Sequence, residues 1–223
     1  MFSGTEQEIR DRIRQSKEHL ELTKKLESQD ENIDSEIFKI QKGFVFVSLY
    51  SSLEFTLVSV VGRYLELLKQ QPKKPMEYRK YLLCTILNAK LNSVRDCSKK
   101  NLWGKKADLF DSLFSNEIVL IDDSIIPTDG FNISHKQVQD VWKLFHLSGN
   151  PLPSGVNVLL LNEVKDHRNA IAHGRKKALD VGARYTTNML TEKERAIEEL
   201  CFHILETFKS SYENEEYLKV NAA

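Results

Sequence analysis

Residues 44–61 read FVFVSLYSSLEFTLVSVV and are apolar on nearly every side of a helix. A helix of that kind must be surrounded, either by lipid or by other parts of its own chain. The run has about the length of a membrane span. Glu54 stands near its middle, however, and a carboxylate there costs roughly 2.5–3.5 kcal/mol on insertion scales. Ser48, Ser51, Ser52 and Ser59 dilute the run further. It therefore reads as the central helix of a helical core, with no membrane partner expected.

The flanking sequence supports an all-α domain of about six or seven helices. Only 5 prolines and 9 glycines interrupt 223 residues, so few places force a break. Residues 5–29 carry Ile9, Ile13, Leu20, Leu22 and Leu26 among charges, as an amphipathic surface helix does. A polar run, Ser28 to Asn32, separates this N-terminal extension (residues 1–33) from a domain over 34–223. Asp34 or Ser35 can cap the central helix, and Pro72 and Pro75 stop it near Gln71. One helix is expected over 76–95 and a short one over Lys105 to Phe114. Residues 117–133, with Ile118 to Ile121 and Ile125-Ile126 around Asp122-Asp123, read as a loop or at most a small hairpin, and the two aspartates as a turn rather than a cation site. Ser134 caps a helix ended by Gly149-Asn150-Pro151. The next helix runs from near Val156 to Gly174, a charged loop follows to Asn188, and Thr191-Glu192-Lys193-Glu194 opens the last helix as a capping box.

Charge narrows the function. Lys plus Arg and Asp plus Glu both number 32, so the chain has no bulk attraction for nucleic acid. Any such binding needs a local basic patch, or one assembled across subunits. Cys84, Cys97 and Cys201 lie too far apart for a metal site or disulfide framework, and read as buried thiols of a reducing cytosol. The N-terminus lacks a signal peptide, so a cytoplasmic location is expected.

The densest chemistry lies in Asp166-His167-Arg168-Asn169-Ala170-Ile171-Ala172-His173-Gly174-Arg175. Asn169 and His173 share a helix face, whereas Arg168 and His173 diverge by about 140° around the axis. One rigid helix does not bring them to one atom. Either Gly174 ends the helix early and swings His173 round, or a second copy supplies the partner residues across a two-fold axis. Ala170 and Ala172 are small enough for two such helices to approach closely.

This string resembles the Arg-Asn-x-x-x-His signature of HEPN domains (higher eukaryotes and prokaryotes nucleotide-binding). Tyr50-Ser51-Ser52-Leu53-Glu54 is similar to the Tyr-x-x-x-Glu segment of some prokaryotic HEPN families. The resemblance spans about Phe38 to Phe208 and leaves residues 1–33 outside. It implies a helical bundle, a homodimer and a site lined by Arg168, Asn169 and His173 of both chains. It further implies metal-independent endonuclease action on single-stranded RNA, leaving a 2′,3′-cyclic phosphate. The implied setting is a toxin–antitoxin or anti-phage defence system, with an antitoxin or defence protein as partner. No cofactor and no metal are expected.

The residues suit that chemistry. RNA cleavage by the 2′-hydroxyl needs a base, an acid and positive charge at the crowded phosphorus. A histidine exchanges protons near neutral pH, which His173 can supply. An arginine fork matches two phosphate oxygens, which Arg168 can hold. Asn169 can orient either one. Arg175, Lys176 and Lys177 can guide the RNA backbone; Lys99-Lys100 and Lys105-Lys106 are lesser candidates for an RNA-facing edge.

Plainer readings exist for each residue. His173 and Gly174 also make an ordinary helix C-terminus. Glu54 can be a carboxylate paired with a core cation, or a support for Arg168. His167 reads as a solvated side chain within reach of RNA, where with Glu54 it would support the site, and Tyr50 and Trp142 read as core. The main alternative is a non-catalytic HEPN-type module that binds a nucleotide or a protein and regulates a partner. A purely structural helical adaptor is a third.

Overall fold

In the computed structural model, residues 1–27, 35–119, 121 and 132–219 are described below. The expected polar break and the Asp122-Asp123 turn fall outside them, apart from Ile118, Val119 and Ile121. Nine α-helices are present among the described residues: α1 (Ser3–Glu27), α2 (Glu36–Gln70), α3 (Lys80–Ile86), α4 (Asn88–Asp96), α5 (Leu102–Phe114), α6 (His135–Phe145), α7 (Val158–Ala172), α8 (Ala178–Gly182) and α9 (Thr187–Glu213). Short 3-10 turns at Pro75–Glu77 and Lys99–Asn101 precede α3 and α5. Tyr78 and Leu218 form an isolated antiparallel bridge, and no strand occurs among the described residues.

α2 is the spine. By length and apolarity it could cross a membrane, but α1, α7, α8 and α9 pack around it. Val45, Phe46, Leu49, Leu53, Leu57, Val60, Val61 and Leu65 are fully or almost fully buried. The Ser35 hydroxyl caps its start by accepting the Phe38 N–H at 3.1 Å. The helix ends just ahead of Pro72, which cannot continue it.

The serines of α2 seat α1. Ser16 Oγ lies 3.0 Å from Ser48 Oγ and 2.8 Å from Ser52 Oγ. Ile9, Ile13 and Leu20 of α1 enter the same core, while Leu22 stays exposed. At the far end of α2, the buried Tyr64 ring meets Phe145, Phe208, Tyr212 and Tyr217 edge-on. Its hydroxyl bonds Ser211 Oγ at 3.0 Å, so the polar end of a buried ring is satisfied. These contacts lock α6 and α9 to α2.

α8 crosses α2 with no room between the backbones. A Cβ added at Gly182 would overlap the Lys39 carbonyl, and one at Gly43 would overlap the Ala178 carbonyl. This helix lies within the stretch expected as loop. It carries one turn that only two glycines allow to dock.

Three other boundaries differ from expectation. The 76–95 helix breaks at Leu87, which leaves helical geometry between α3 and α4. Ser134 does cap α6, in a capping box with Gln137, but the helix ends at His146 in the left-handed conformation, before Gly149. α9 begins earlier than the Thr191 capping box, because Thr186 offers the same cap chemistry and accepts the Met189 N–H at 3.2 Å. Thr191 instead bonds back to the Thr187 carbonyl at 2.9 Å. The cysteines differ too: Cys201 is buried, which pushes its thiol up to about 12, but Cys84 is exposed and Cys97 half-buried.

Candidate functional site

α7 presents the signature. Asn157 caps its start, its Oδ1 accepting the Leu160 N–H at 2.8 Å. Its other end is Ala172, followed by His173 and by Gly174 at φ 67°. That positive φ lets the chain reverse at once. The Gly174 N–H then donates to the Ile171 carbonyl at 3.0 Å and the Lys176 N–H to the Ala170 carbonyl at 3.0 Å.

Arg168 is held on three sides. Its Nη2 donates to Glu54 Oε2 at 3.1 Å and its Nη1 to Asn169 Oδ1 at 2.9 Å. Its guanidinium carbon lies 4.3 Å from the centre of the Tyr50 ring, a cation–π distance. Tyr50 and Glu54 are one helical turn apart on α2 and so present a ring and a carboxylate side by side. The Tyr50 hydroxyl accepts the Ile133 N–H at 2.6 Å, which fixes the ring. Both ends of the Tyr-x-x-x-Glu segment thus meet the signature arginine. Glu54 is thus paired with Arg168 rather than with another cation, and Tyr50 is core, as expected, with its ring against the guanidinium.

Two of a guanidinium's five N–H donors are used in these bonds, leaving three for an anion. Asn169 is buried and orients Arg168 rather than His173. His173 is exposed, and its side chain has no hydrogen bond or ring contact among the described residues. Its backbone leaves helical geometry, at φ −94° and ψ 11°, yet among the described residues no contact joins its side chain to Arg168, whose partners are Glu54, Asn169 and Tyr50.

His167, expected as a solvated side chain, is half-buried, its ring edge-on to Phe46 at 4.8 Å between centres. Its Nε2 lies 2.6 Å from the Tyr185 hydroxyl, which donates to Glu163 Oε1 at 2.5 Å. Lys193 Nζ donates to the other oxygen of Glu163 at 2.5 Å. With the Tyr185 proton committed to Glu163, His167 is the donor and carries its proton on Nε2. Burial lowers the His167 pKa; Glu163 opposes this, while Lys176, Arg184 and Lys193 add to it. The Tyr185 carbonyl accepts from the buried Lys42 Nζ at 2.7 Å, and burial lowers the pKa of that ammonium. The chain of contacts braces α7 against α2 and α9.

Arg175, Lys176 and Lys177 lie exposed between α7 and α8. Among the described residues none has a carboxylate partner, and neither has Arg184 beyond α8. By contrast, Lys165 and Lys193 of the same region are both paired. Arg184 carried no spacing signal in the sequence; neither did Glu163, Tyr185 or Lys193. Among the described residues no cluster of three metal-ligating side chains occurs.

An all-helical body with an Arg-Asn-x-x-x-His helix docked on a Tyr-x-x-x-Glu helix is an HEPN-type domain, a nuclease-like or RNA-related module. The RiboL-PSP-HEPN family model matches residues 8–214, most of the chain, and the protein belongs to that family. The match begins about thirty residues before the stretch in which the resemblance was legible, and it takes in nearly all of α1. No curated protein and no solved structure gives a match.

Proposed function

We infer that the protein is a metal-independent endoribonuclease acting on single-stranded RNA at a site shared by two copies of the chain. The observation that carries this reading is Arg168, fixed by Glu54, Asn169 and Tyr50 yet keeping donors free, on a helix that ends at an exposed His173 with no side-chain partner among the described residues. Their divergence within one chain supports a two-fold arrangement in which His173 of one copy serves a phosphate held by Arg168 of the other. The 2′-hydroxyl loses its proton to a histidine, and the 2′-oxygen attacks phosphorus. The P–O5′ bond breaks, and the leaving 5′-oxygen takes a proton from an imidazolium. Arg168 stabilises the charge on the phosphoryl oxygens, and the products are a 2′,3′-cyclic phosphate and a 5′-hydroxyl. Arg175, Lys176 and Lys177 hold the backbone on either side. The setting proposed is cytoplasmic, in a toxin–antitoxin or anti-phage defence system, with an antitoxin or defence protein as partner. The test is end-group analysis of RNA incubated with the protein in EDTA: cyclic phosphate ends support the reading, and intact RNA across varied sequences counts against it.

One observation favours a second reading. Glu54 already neutralises Arg168, as a settled structural pair would. A non-catalytic HEPN-type module would bind RNA, a nucleotide or a partner protein without turnover.

A further inference from the structure

α5 is anchored on one side only. It packs on α4 and the two 3-10 turns and has no buried residue. Its inner side is formed by Leu102, Leu109 and Leu113, all half-buried. A separate stripe faces solvent: Trp103 is 77% exposed, Phe110 56% and Phe114 63%, with the exposed Ala107 between them. Their spacing of four, three and four residues places all four side chains within an arc of about 60°. Three large aromatics at heptad positions on one open face are a seam without a partner.

Ala107 and Phe114 take the a positions of that heptad, and Trp103 and Phe110 the d positions. Lys106 is then a g residue and Asp111 an e residue, five positions later. In parallel paired helices a g side chain meets the e side chain five residues on in the other helix. Asp111 has no ion pair among the described residues, and Lys106 has only its contact with the Trp103 ring, at 4.6 Å. Lys105, on the far side of the helix, is already tied to Asp108 at 3.5 Å. An antiparallel pairing would set Lys106 against the g edge and Asp111 against the e edge, giving no opposite charge to either.

We propose that α5 pairs in parallel with α5 of a second copy, through Trp103, Ala107, Phe110 and Phe114 and two symmetric Lys106–Asp111 ion pairs. The two-fold axis runs along α5, and the bodies of the two copies lie on opposite sides of it. This seam uses no residue of the Arg168–His173 site or of the Arg175–Lys177 run, and does not rest on RNA cleavage; it takes Lys106 away from the RNA-facing edge for which the sequence also offered it.

The test is the solution mass of the full chain by light scattering over a concentration series, without RNA. With the two-copy RNA site also formed, wild type should assemble beyond a dimer, and Asp111→Lys and Phe110→Asp should each halve its mass by removing this seam alone while leaving the helical circular dichroism unchanged. The double exchange Lys106→Asp with Asp111→Lys should restore the wild-type mass, because it rebuilds the same two pairs with reversed sign. A wild type found at the protomer mass of 25.8 kDa would overturn the proposal. So would a double exchange that stays at half mass. If Phe110→Asp keeps the mass but weakens retention of single-stranded RNA, the stripe is a stacking surface for RNA and the seam is wrong. RNA cleavage is read separately, so either idea can fail alone.

Discussion

Arg168 of α7 and Glu54 of α2 are joined at 3.1 Å, across 114 positions of sequence. The bond is partly open to solvent at both ends, so its stabilising effect is small. What it supplies is direction. With Asn169 on the other nitrogen and Tyr50 beneath, the guanidinium is fixed by three contacts and keeps its remaining donors unused.

Glu54→Gln should therefore cost under about 1 kcal/mol of stability, while lowering RNA cleavage about tenfold, equivalent to about 1.4 kcal/mol of transition-state stabilisation. Urea denaturation and single-turnover cleavage read the two effects separately. Arg168→Lys should be worse for cleavage, because an ammonium cannot keep both protein partners and hold a phosphate as a fork does.

Tyr185→Phe should destabilise the fold by about 1–3 kcal/mol, since it leaves the half-buried His167 Nε2 and one oxygen of Glu163 without a partner, Lys193 keeping the other. A change within error in the urea midpoint would show that the chain of bonds contributes nothing.

His167 also sets a pH dependence. Burial lowers its pKa in the folded chain from the ordinary 6.5. The unfolded chain then binds a proton that the folded chain refuses. Stability is complete above the unfolded value and declines as pH falls through it toward the lower folded value. His146 acts in the same direction, through burial and the nearby Arg79 and Lys80. His167→Gln keeps a donor for Tyr185 but cannot titrate. It should flatten, without abolishing, the loss of stability as pH falls through the ordinary 6.5 and below, measured by denaturation at each pH.

The sequence made some of this visible and hid the rest for physical reasons. The apolar run from Phe44 to Val61 announced the spine because a helix apolar all round has only one place to go in a folded chain. The signature was legible because its residues are adjacent. Glu54 was singled out by its similarity to a known segment, but its partner lies far along the chain, and periodicity is silent about which helix faces which. His167 was misjudged for the same reason: Phe46, Tyr185 and Lys193 approach it from three other elements. α8 was missed because five residues give too little pattern, and its docking depends on the absence of side chains at Gly43 and Gly182.

That crossing yields another expectation. Gly182→Ala forces α8 away from the Lys39 carbonyl and should cost about 1–3 kcal/mol. Gly62 on α2 has open space where a Cβ would go, so Gly62→Ala should be neutral or stabilising by up to about 1 kcal/mol. Thermal unfolding of the pair separates crowding from helix propensity.

The unpaired cations beyond α7 predict a salt effect. Each phosphate contact to a single strand contributes about 0.7 to the slope of log affinity against log salt. Replacing Lys176 and Lys177 with Gln should lower that slope by about 1.4 if both touch the backbone. An unchanged slope would place the RNA elsewhere.

The most direct measurement compares wild type with His173→Ala on end-labelled single-stranded RNA in EDTA, with circular dichroism on both proteins. His173 is exposed and makes no side-chain bond among the described residues, so the variant should fold as wild type does. Wild type should cut the RNA and leave cyclic phosphate ends, and His173→Ala should leave it intact. Cleavage by the variant at the wild-type rate would contradict the account.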